Sequence, residues 1–294
     1  MYTIKNHRLY RDGAQVAYLP TPNKSAGTID PAVLVFHDTA GSLVKGSSVS
    51  WLVNPEAKAS AHVVVERDGF VTQLAPLNAK CWHAGRSSFD GRAGVNGFGI
   101  GIEIVNPGIM DGSPTGDYAT AWWKERFQVD EHDLQYRSTP EHGRGWWMDY
   151  TPEQIDAVLG ISLAIVGKYR GIASAHQATT HWTISPGRKV DTNPLFPLEK
   201  IRGRLFGRAD PEPVDEDDDG GVTVETVTGL NLRRWPSNND NVIGVIAPGT
   251  RCRVLRSGVY ADGFPEARWH LVAVSLDGAA QEGWVHSNYV NDLD

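Results

Sequence analysis

Between residues 209 and 221 the chain runs ADPEPVDEDDDGG, seven acids and no base among prolines and glycines. No stretch of this composition buries enough apolar surface to offset the entropy of ordering it, so it reads as a solvated linker. The fold must therefore be assembled on either side of it. That divides the 294 residues into a domain of ordinary size at 1–207, a flexible acidic linker at 208–221 and a small domain at 222–294. The linker also spaces Asp215, Asp217, Asp219 and Gly220 like the start of a calcium loop. The twelfth position of that loop is Thr226, where calcium requires a bidentate glutamate, so calcium is not expected here.

The linker also distorts the charge balance. The net charge is −7, yet without those seven acids 28 acids face 28 bases. Folded parts so close to neutral give no bulk electrostatic attraction to nucleic acid, which is not expected as a partner. The longest apolar runs, AVLVF (32–36) and IDAVLGISLAIVG (155–167), fall short of a membrane span. The first residues, MYTIKNHRLYRDG, lack the apolar core of a secretory signal, so synthesis in the cytoplasm is expected. Two cysteines, Cys81 and Cys252, are too few for a disulfide framework, fall in different domains and read as buried thiols of a reducing compartment.

Within 1–207 the segments alternate. AVLVFH (32–37) is a continuous apolar run, the mark of a buried central strand. SVSWLVNPE (48–56) predicts a short helix ending before Pro55, and AHVVVERDGFVTQLAP (61–76) two strands around the Arg-Asp-Gly turn at 67–69. GFGIGIEIV (97–105) predicts another strand. The clearest helix is 151–171, with Thr151 as N-cap, Pro152 at N1, Gln154 completing a capping box and Gly171 as C-cap. Interleaved strands and helices define an α/β domain with a central mixed sheet. Residues 107–150 are irregular and carry Trp122, Trp123, Trp146 and Trp147. Two readings stand for these pairs: they pack the insertion onto the domain, or they line a groove for sugar rings as one wall of a substrate cleft. Beyond the linker, VTVETV, NVIGVIA, RCRVLRS, RWHLVAV and EGWVHSNYV predict a small all-β barrel.

Candidate chemistry begins with His37, which closes the apolar strand and precedes the small polar DTAGS. The end of a central strand is where an α/β sheet presents ligand sites, although a lone histidine there also serves as a hydrogen-bonded core residue. HWTISPGRKVD (181–191) opens on His181 and closes on Asp191, with Pro186-Gly187 as a turn and Arg188-Lys189 as adjacent cations. It reads either as a surface loop of paired charges or as two metal ligands with a cation beside them. Glu103 is an acid inside an otherwise apolar strand, costly to bury unless paired or working as a base.

Five separated motifs, VFHDTAG (35–41), SAHVVVERDG (60–69), WHAG (82–85), GIGIEIVN (99–106) and HWTISPGRKVDTNPLF (181–196), resemble zinc N-acetylmuramoyl-L-alanine amidases in sequence and order. That superfamily is shared by peptidoglycan-recognition proteins, phage lysozyme-like amidases and muropeptide-recycling amidases, and the resemblance covers residues 25–200. It implies Zn2+ held by His37, His181 and Asp191, with Glu103 handling the catalytic water and Lys189 stabilising the oxyanion. The bond cut is then the amide between the lactyl group of N-acetylmuramic acid and L-alanine. His176 lacks the spacing to Asp191 and is taken as structural. His62, Trp82, His83 and Arg188 fall in matching motifs as substrate contacts, with packing the alternative for His83 and a loop-ordering ion pair that for Arg188.

Residues 222–294 resemble a bacterial SH3-like domain, with 259–268 as an extra segment. Trp235, Trp269, Trp284 and Tyr289 form its candidate wall-binding surface, or else its core. The combined resemblance implies a peptidoglycan hydrolase of endolysin or autolysin type, acting at the wall after release by a separate route. Two alternatives are a cytoplasmic amidase of soluble anhydro-muropeptides and a non-catalytic recognition protein.

Overall fold

Val33–Asp38 is buried at every position because it is paired on both sides. In the computed structural model, Ala178–Thr180 and Gly99–Ile104 both flank it in parallel. The sheet continues from Gly99–Ile104 to Val63–Val65 in parallel, then to Val71–Gln73 antiparallel and to Ala17–Tyr18 in parallel, a six-stranded mixed sheet as expected. The register sets His37 opposite Glu103, and Glu103 opposite Val64. Paired residues on adjacent strands point to the same face, so the alternation of each strand sorts its residues into two sets. Leu34, Phe36, Ile100, Ile102 and Ile104 face one way and join the main core, while His37, Gly101 and Glu103 face the other.

The structure describes residues 1–206, 223–233, 242–261, 264–276 and 279–293. They form two compact units, one of Met1–Ser87, Gly94–Ile184 and Val190–Arg208, the other of Ser88–Ala93, Ser185–Lys189 and Ala209–Asp294. The linker expected at 208–221 and its calcium-like spacing lie outside the described residues, apart from Thr226.

Pro152–Lys168 is the helix that closes the main core, through Ala157, Val158, Ile161 and Ile165. Its capping box is formed: Thr151 Oγ1 accepts from Gln154 N–H at 3.1 Å, and Thr151 N–H donates to the Gln154 side chain at 3.2 Å. Gln154 also donates to the carbonyl of Val105 at 2.8 Å, tying the helix start to the end of the strand bearing Glu103. The C-terminal expectation is corrected, because the helix stops at Lys168 with Tyr169 extended as its cap. Gly171 serves close packing instead, since a Cβ there would lie 2.5 Å from the carbonyl oxygen of Pro31.

The 107–150 stretch holds two antiparallel hairpins, Tyr118–Thr120 with Arg126–Gln128 and Gln135–Thr139 with Gly143–Trp147. They enclose their own small core of Met110, Phe127, Leu134, Trp146 and Met148, with Trp123 packed against it. Packing therefore accounts for Trp123, Trp146 and the fully buried Trp147, whereas Trp122 is 69% exposed.

In the second unit the described strands beyond residue 222 form one antiparallel sheet in the order 242–246, 230–233, 279–286, 264–276, 251–261, 223–226 and 290–293. Its core is Val224, Leu230, Leu232, Ile246, Cys252, Val272 and Val285. Cys81 and Cys252 are both buried free thiols, as expected. Residues 259–268 fall at the hairpin of two long strands, Arg251–Ala261 and Phe264–Leu276. No helix among the described residues is long and apolar enough to cross a membrane.

The caps give a direct test of what holds the main helix to the sheet. Thr151→Ala removes the N-cap acceptor and the bond from Thr151 Oγ1 to the Arg67 carbonyl. Denaturant unfolding should show a loss of about 1–2 kcal/mol with an unchanged slope.

Candidate metal centre

Three strands bring the site together at their C-terminal ends. Thr180 pairs with Phe36, so His181 follows directly beside His37, and both rings are buried, 4% and 1% exposed. The chain then turns at Ser185, where the amides of Arg188 and Lys189 both donate to the Ser185 carbonyl. It returns so that Asp191 accepts from Trp182 N–H through its carbonyl at 2.7 Å. Asp191 Oδ2 lies 2.9 Å from His181 Nδ1 and 3.4 Å from His37 Nδ1, and the three donor atoms fall within 4.8 Å of one another. Zinc with bonds of about 2.0–2.1 Å and tetrahedral angles holds its donors about 3.3–3.5 Å apart. The 3.4 Å pair matches that spacing, and the 2.9 Å pair would open by about half an ångström to admit such an ion.

The outer nitrogens fix which ring atom faces the metal. His181 Nε2 lies 3.2 Å from the carbonyl of Ala84, which can only accept, so Nε2 carries the proton and Nδ1 presents a lone pair. His83 Nε2 likewise faces the carbonyl of Gly99 at 3.1 Å, so it is the donor there. His83 Nδ1 is then an acceptor, and it takes the proton of His37 Nε2 at 2.9 Å, leaving His37 Nδ1 as a second lone pair. The chain of rings needs room, and the two glycines of GIGIE supply it. A Cβ on Gly101 would sit 2.6 Å from the His83 ring, and one on Gly99 3.3 Å from it. Asn96 Oδ1 holds the segment by accepting from the amides of His83 and Ala84 at 3.1 and 2.8 Å.

Burial sets the electrostatics. Desolvation pushes Asp191 up, but the polarity of the His181 and His37 rings facing it holds its carboxyl well below the usual carboxylate range. Asp38 is different: burial pushes it up to about 8, against hydrogen bonds from Tyr150 O–H at 2.6 Å and Asn193 N–H at 2.8 Å. Burial, with His37, His62 and His181 nearby, keeps His83 well below the ordinary histidine value.

The other predicted residues fall out unevenly. Glu103 is half-buried beside His37 in the sheet register. His62 and His83, expected as substrate contacts, are buried at 0% and 6% exposure. His62 is fully committed to backbone, accepting from Gly101 N–H at 3.0 Å and donating to the Ala79 carbonyl at 2.8 Å. Trp82 is half-buried and donates to Ser25 Oγ at 2.9 Å. Arg188 and Lys189 lie on the Ser185–Lys189 turn, with Arg188 donating to Ser185 Oγ at 2.7 Å. His176 is exposed on the Ala175–Gln177 turn, outside the cluster. In the second unit, Trp269 and Trp284 are corrected from surface to core, at 1% and 2% exposure and packed with Leu271. Tyr289 is 49% exposed, and Trp235 lies outside the described residues. Sequence reasoning missed Asp38, Tyr150, Asn193 and His142. Asp38 stood inside VFHDTAG and was open to suspicion as an acid in a buried run, whereas nothing in the irregular 107–150 stretch marked His142.

Comparison with known proteins bears on this site. The family model of N-acetylmuramoyl-L-alanine amidase matches residues 27–194, a span that contains all three candidate ligands. The chain is 29% identical to 1,6-anhydro-N-acetylmuramyl-L-alanine amidase AmpD of Enterobacter cloacae over 52% of this chain and 60% of that protein. It is 26% identical to N-acetylmuramoyl-L-alanine amidase AmiD of Escherichia coli over 62% of this chain and 61% of that protein. It is 30% identical to N-acetylmuramoyl-L-alanine amidase XlyA of Bacillus subtilis over 41% of this chain and 39% of that protein. The chain thus spans about 60% of the length of the first two of these curated relatives. A solved complex of E. coli AmiD with anhydro-N-acetylmuramic acid-L-Ala-D-gamma-Glu-L-Lys aligns over 70% of this chain and 66% of that one, at 23% identity and a TM-score of 0.45.

The buried neutral imidazoles carry a pH signature. Burial lowers His62 from the ordinary 6.5 to about 4 in the folded protein. Between those values the unfolded chain binds more protons than the folded one, so stability falls as pH drops from 6.5 towards 4. His62 alone should cost the metal-free protein about 3 kcal/mol over that window. Denaturant unfolding in chelator at pH 7 and pH 4.5 measures it, and a flat profile would contradict the neutral assignment.

Proposed function

Because the chain belongs to the N-acetylmuramoyl-L-alanine amidase family, we propose that it is a zinc-dependent peptidoglycan amidase cleaving the bond between the lactyl group of N-acetylmuramic acid and L-alanine. The observation that carries this reading is the convergence of His37 Nδ1, His181 Nδ1 and Asp191 Oδ2, in lone-pair-presenting tautomers, at the ends of the central strands. These residues would hold the zinc, which would supply an acidified water and polarise the amide carbonyl. Glu103, the register partner of His37, takes the proton of the attacking water and returns it to the departing amine. Lys189, two residues before Asp191, stabilises the tetrahedral oxyanion, a role whose loss costs about a hundred- to a thousandfold in rate.

The insertion is proposed as one wall of the cleft. Trp122 donates its indole N–H to the carbonyl of Ala40 at 2.7 Å, three residues beyond His37 and so within about 11 Å of it along the chain. A ring pinned at its edge and 69% exposed offers a flat face on which the muramic ring can stack.

The second unit is proposed as the wall-binding module, tethered so that its grip raises the local concentration of the enzyme on the polymer. It carries a cleft of about 250 Å3 lined by Asn231, Arg233, His286 and Tyr289, with Trp269 beneath His286 at 4.9 Å between ring centroids. That module favours intact wall as substrate and action outside the cytoplasm after release, in the manner of an endolysin or autolysin. The likeness to AmpD favours a second reading, cleavage of soluble anhydro-muropeptides.

Mass spectrometry of sacculi and of soluble anhydro-muropeptides after incubation decides between them, with Glu103→Ala as control. Stem peptides beginning at L-alanine, released from sacculi by the wild type alone, are expected. Cleavage confined to the soluble substrate moves the protein to recycling, and zinc binding without cleavage of either makes it a recognition protein. On the glycan-linked substrate, Trp122→Ala should raise KM about tenfold, about 1.4 kcal/mol of lost contact, at nearly constant kcat and unchanged thermal stability. An unaltered KM removes Trp122 from the cleft.

A further inference from the structure

We propose that His142 is a positioning residue for the third metal ligand: from the tip of the second insertion hairpin it holds the backbone that carries Asp191. The inference rests on the zinc reading above and adds to it a function for the 107–150 insertion.

His142 stands in the turn between Gln135–Thr139 and Gly143–Trp147 and is 7% exposed. Its Nε2 lies 3.0 Å from the carbonyl oxygen of Thr192, the residue that follows Asp191. A carbonyl only accepts, so Nε2 carries the proton and Nδ1 is left as an acceptor. That acceptor is met by the hydroxyl of Thr139 at 2.7 Å, while Thr139 Oγ1 accepts the backbone N–H of His142 at 3.1 Å. Both ring nitrogens therefore have one role each, and the ring cannot turn without losing both bonds. Trp147 and Trp182 close on it edge to face, with centroids 5.9 and 5.6 Å away.

The segment that needs this support is irregular. His37 belongs to a strand paired on both sides, and His181 begins a helical turn directly after a paired strand, but Asp191–Asn193 has no ladder of its own. Its hydrogen bonds run instead to the insertion and its return. Asn193 donates its side-chain amide to the carbonyl of Met148 at 3.0 Å, the same carbonyl that accepts from Asn106 at 3.0 Å. Asn193 N–H reaches Asp38, whose other oxygen accepts from Tyr150. His142 supplies the contact adjacent in the chain to the ligand itself. A carboxylate rotamer is only as fixed as the backbone beneath it, so freeing the Thr192 carbonyl loosens Asp191 against the two imidazoles.

The test measures zinc affinity of the full-length chain by competition with a chromophoric chelator, apart from any activity. His142→Leu should weaken zinc binding about ten- to a hundredfold, the range found when partners of metal ligands are removed. His142→Gln, which keeps an N–H donor at similar reach, should restore most of the loss. Phe127→Ala, in the insertion's own core and remote in sequence from the hairpin tip, should lower the thermal midpoint while leaving zinc affinity unchanged. If His142→Leu does not fold, Thr139→Val carries the test: it leaves the ring in place without its Nδ1 partner and should weaken zinc by a smaller, measurable factor. Variants of His142 and Thr139 that bind zinc like the wild type overturn the inference, as does an equal loss in Phe127→Ala. A wild-type protein that binds no zinc overturns the metalloamidase reading, and this inference with it.

Discussion

The parallel pairing of Val33–Asp38 with Gly99–Ile104 fixes almost everything chemical in this protein. One register places His37 beside Glu103, and the pairing of Ala178–Thr180 on the other edge delivers His181 to the same row. A slip of one residue would send His37 into the apolar core in place of Phe36 and turn Glu103 away from it. The hydrophobic set Leu34, Phe36, Ile100, Ile102 and Ile104 opposes such a slip, since it is buried against the capped helix on the far face. The core thus specifies the site: the same alternation that hides the isoleucines aligns the ligands.

Placing several imidazoles together at the candidate site raises a solvation problem, and the structure answers it by saturating their outer nitrogens. His37, His62, His83 and His181 are all less than a tenth exposed, and an imidazolium among them would be costly. Each has its outer nitrogens committed to a backbone group or to another ring, and the direction of those bonds leaves the lone pairs of His37 and His181 turned towards Asp191. Gly99 and Gly101 belong to the same solution, because the His83 ring occupies the space a side chain would take.

Residues of regular elements were legible from sequence, and residues of irregular ones were not. The apolar run ending in His37, the acid within GIGIEIV and the capping box at Thr151 each express a periodicity or a cap rule in a short window, and all lie where those rules put them. Gly171 shows the limit of such rules: the residue type was right for a helix end, but close approach to Pro31 is what requires it. His62, Trp269 and Trp284 failed for a related reason, since an amphipathic side chain reads the same on a surface as in a core until its neighbours are known. The insertion was opaque altogether, its short hairpins carrying too few residues to reveal a period and its important bonds running to Asp38, Thr192 and Asn193.

Those bonds give the insertion a physical rationale beyond lining a cleft. It leaves the sheet just after Glu103 and returns just before the helix capped by Thr151, so both its ends are anchored to the core. Between them it builds a separate small core around Phe127 and Trp146. What it supports is a segment with little pairing of its own. In a metal site of three ligands, the least constrained one limits how well the donor set is preorganised, since ordering it on binding costs conformational entropy. Rigidity contributed by His142, Met148 and Tyr150 to the Asp191 segment therefore acts at the weakest point of the centre, while the sheet already holds His37 and His181.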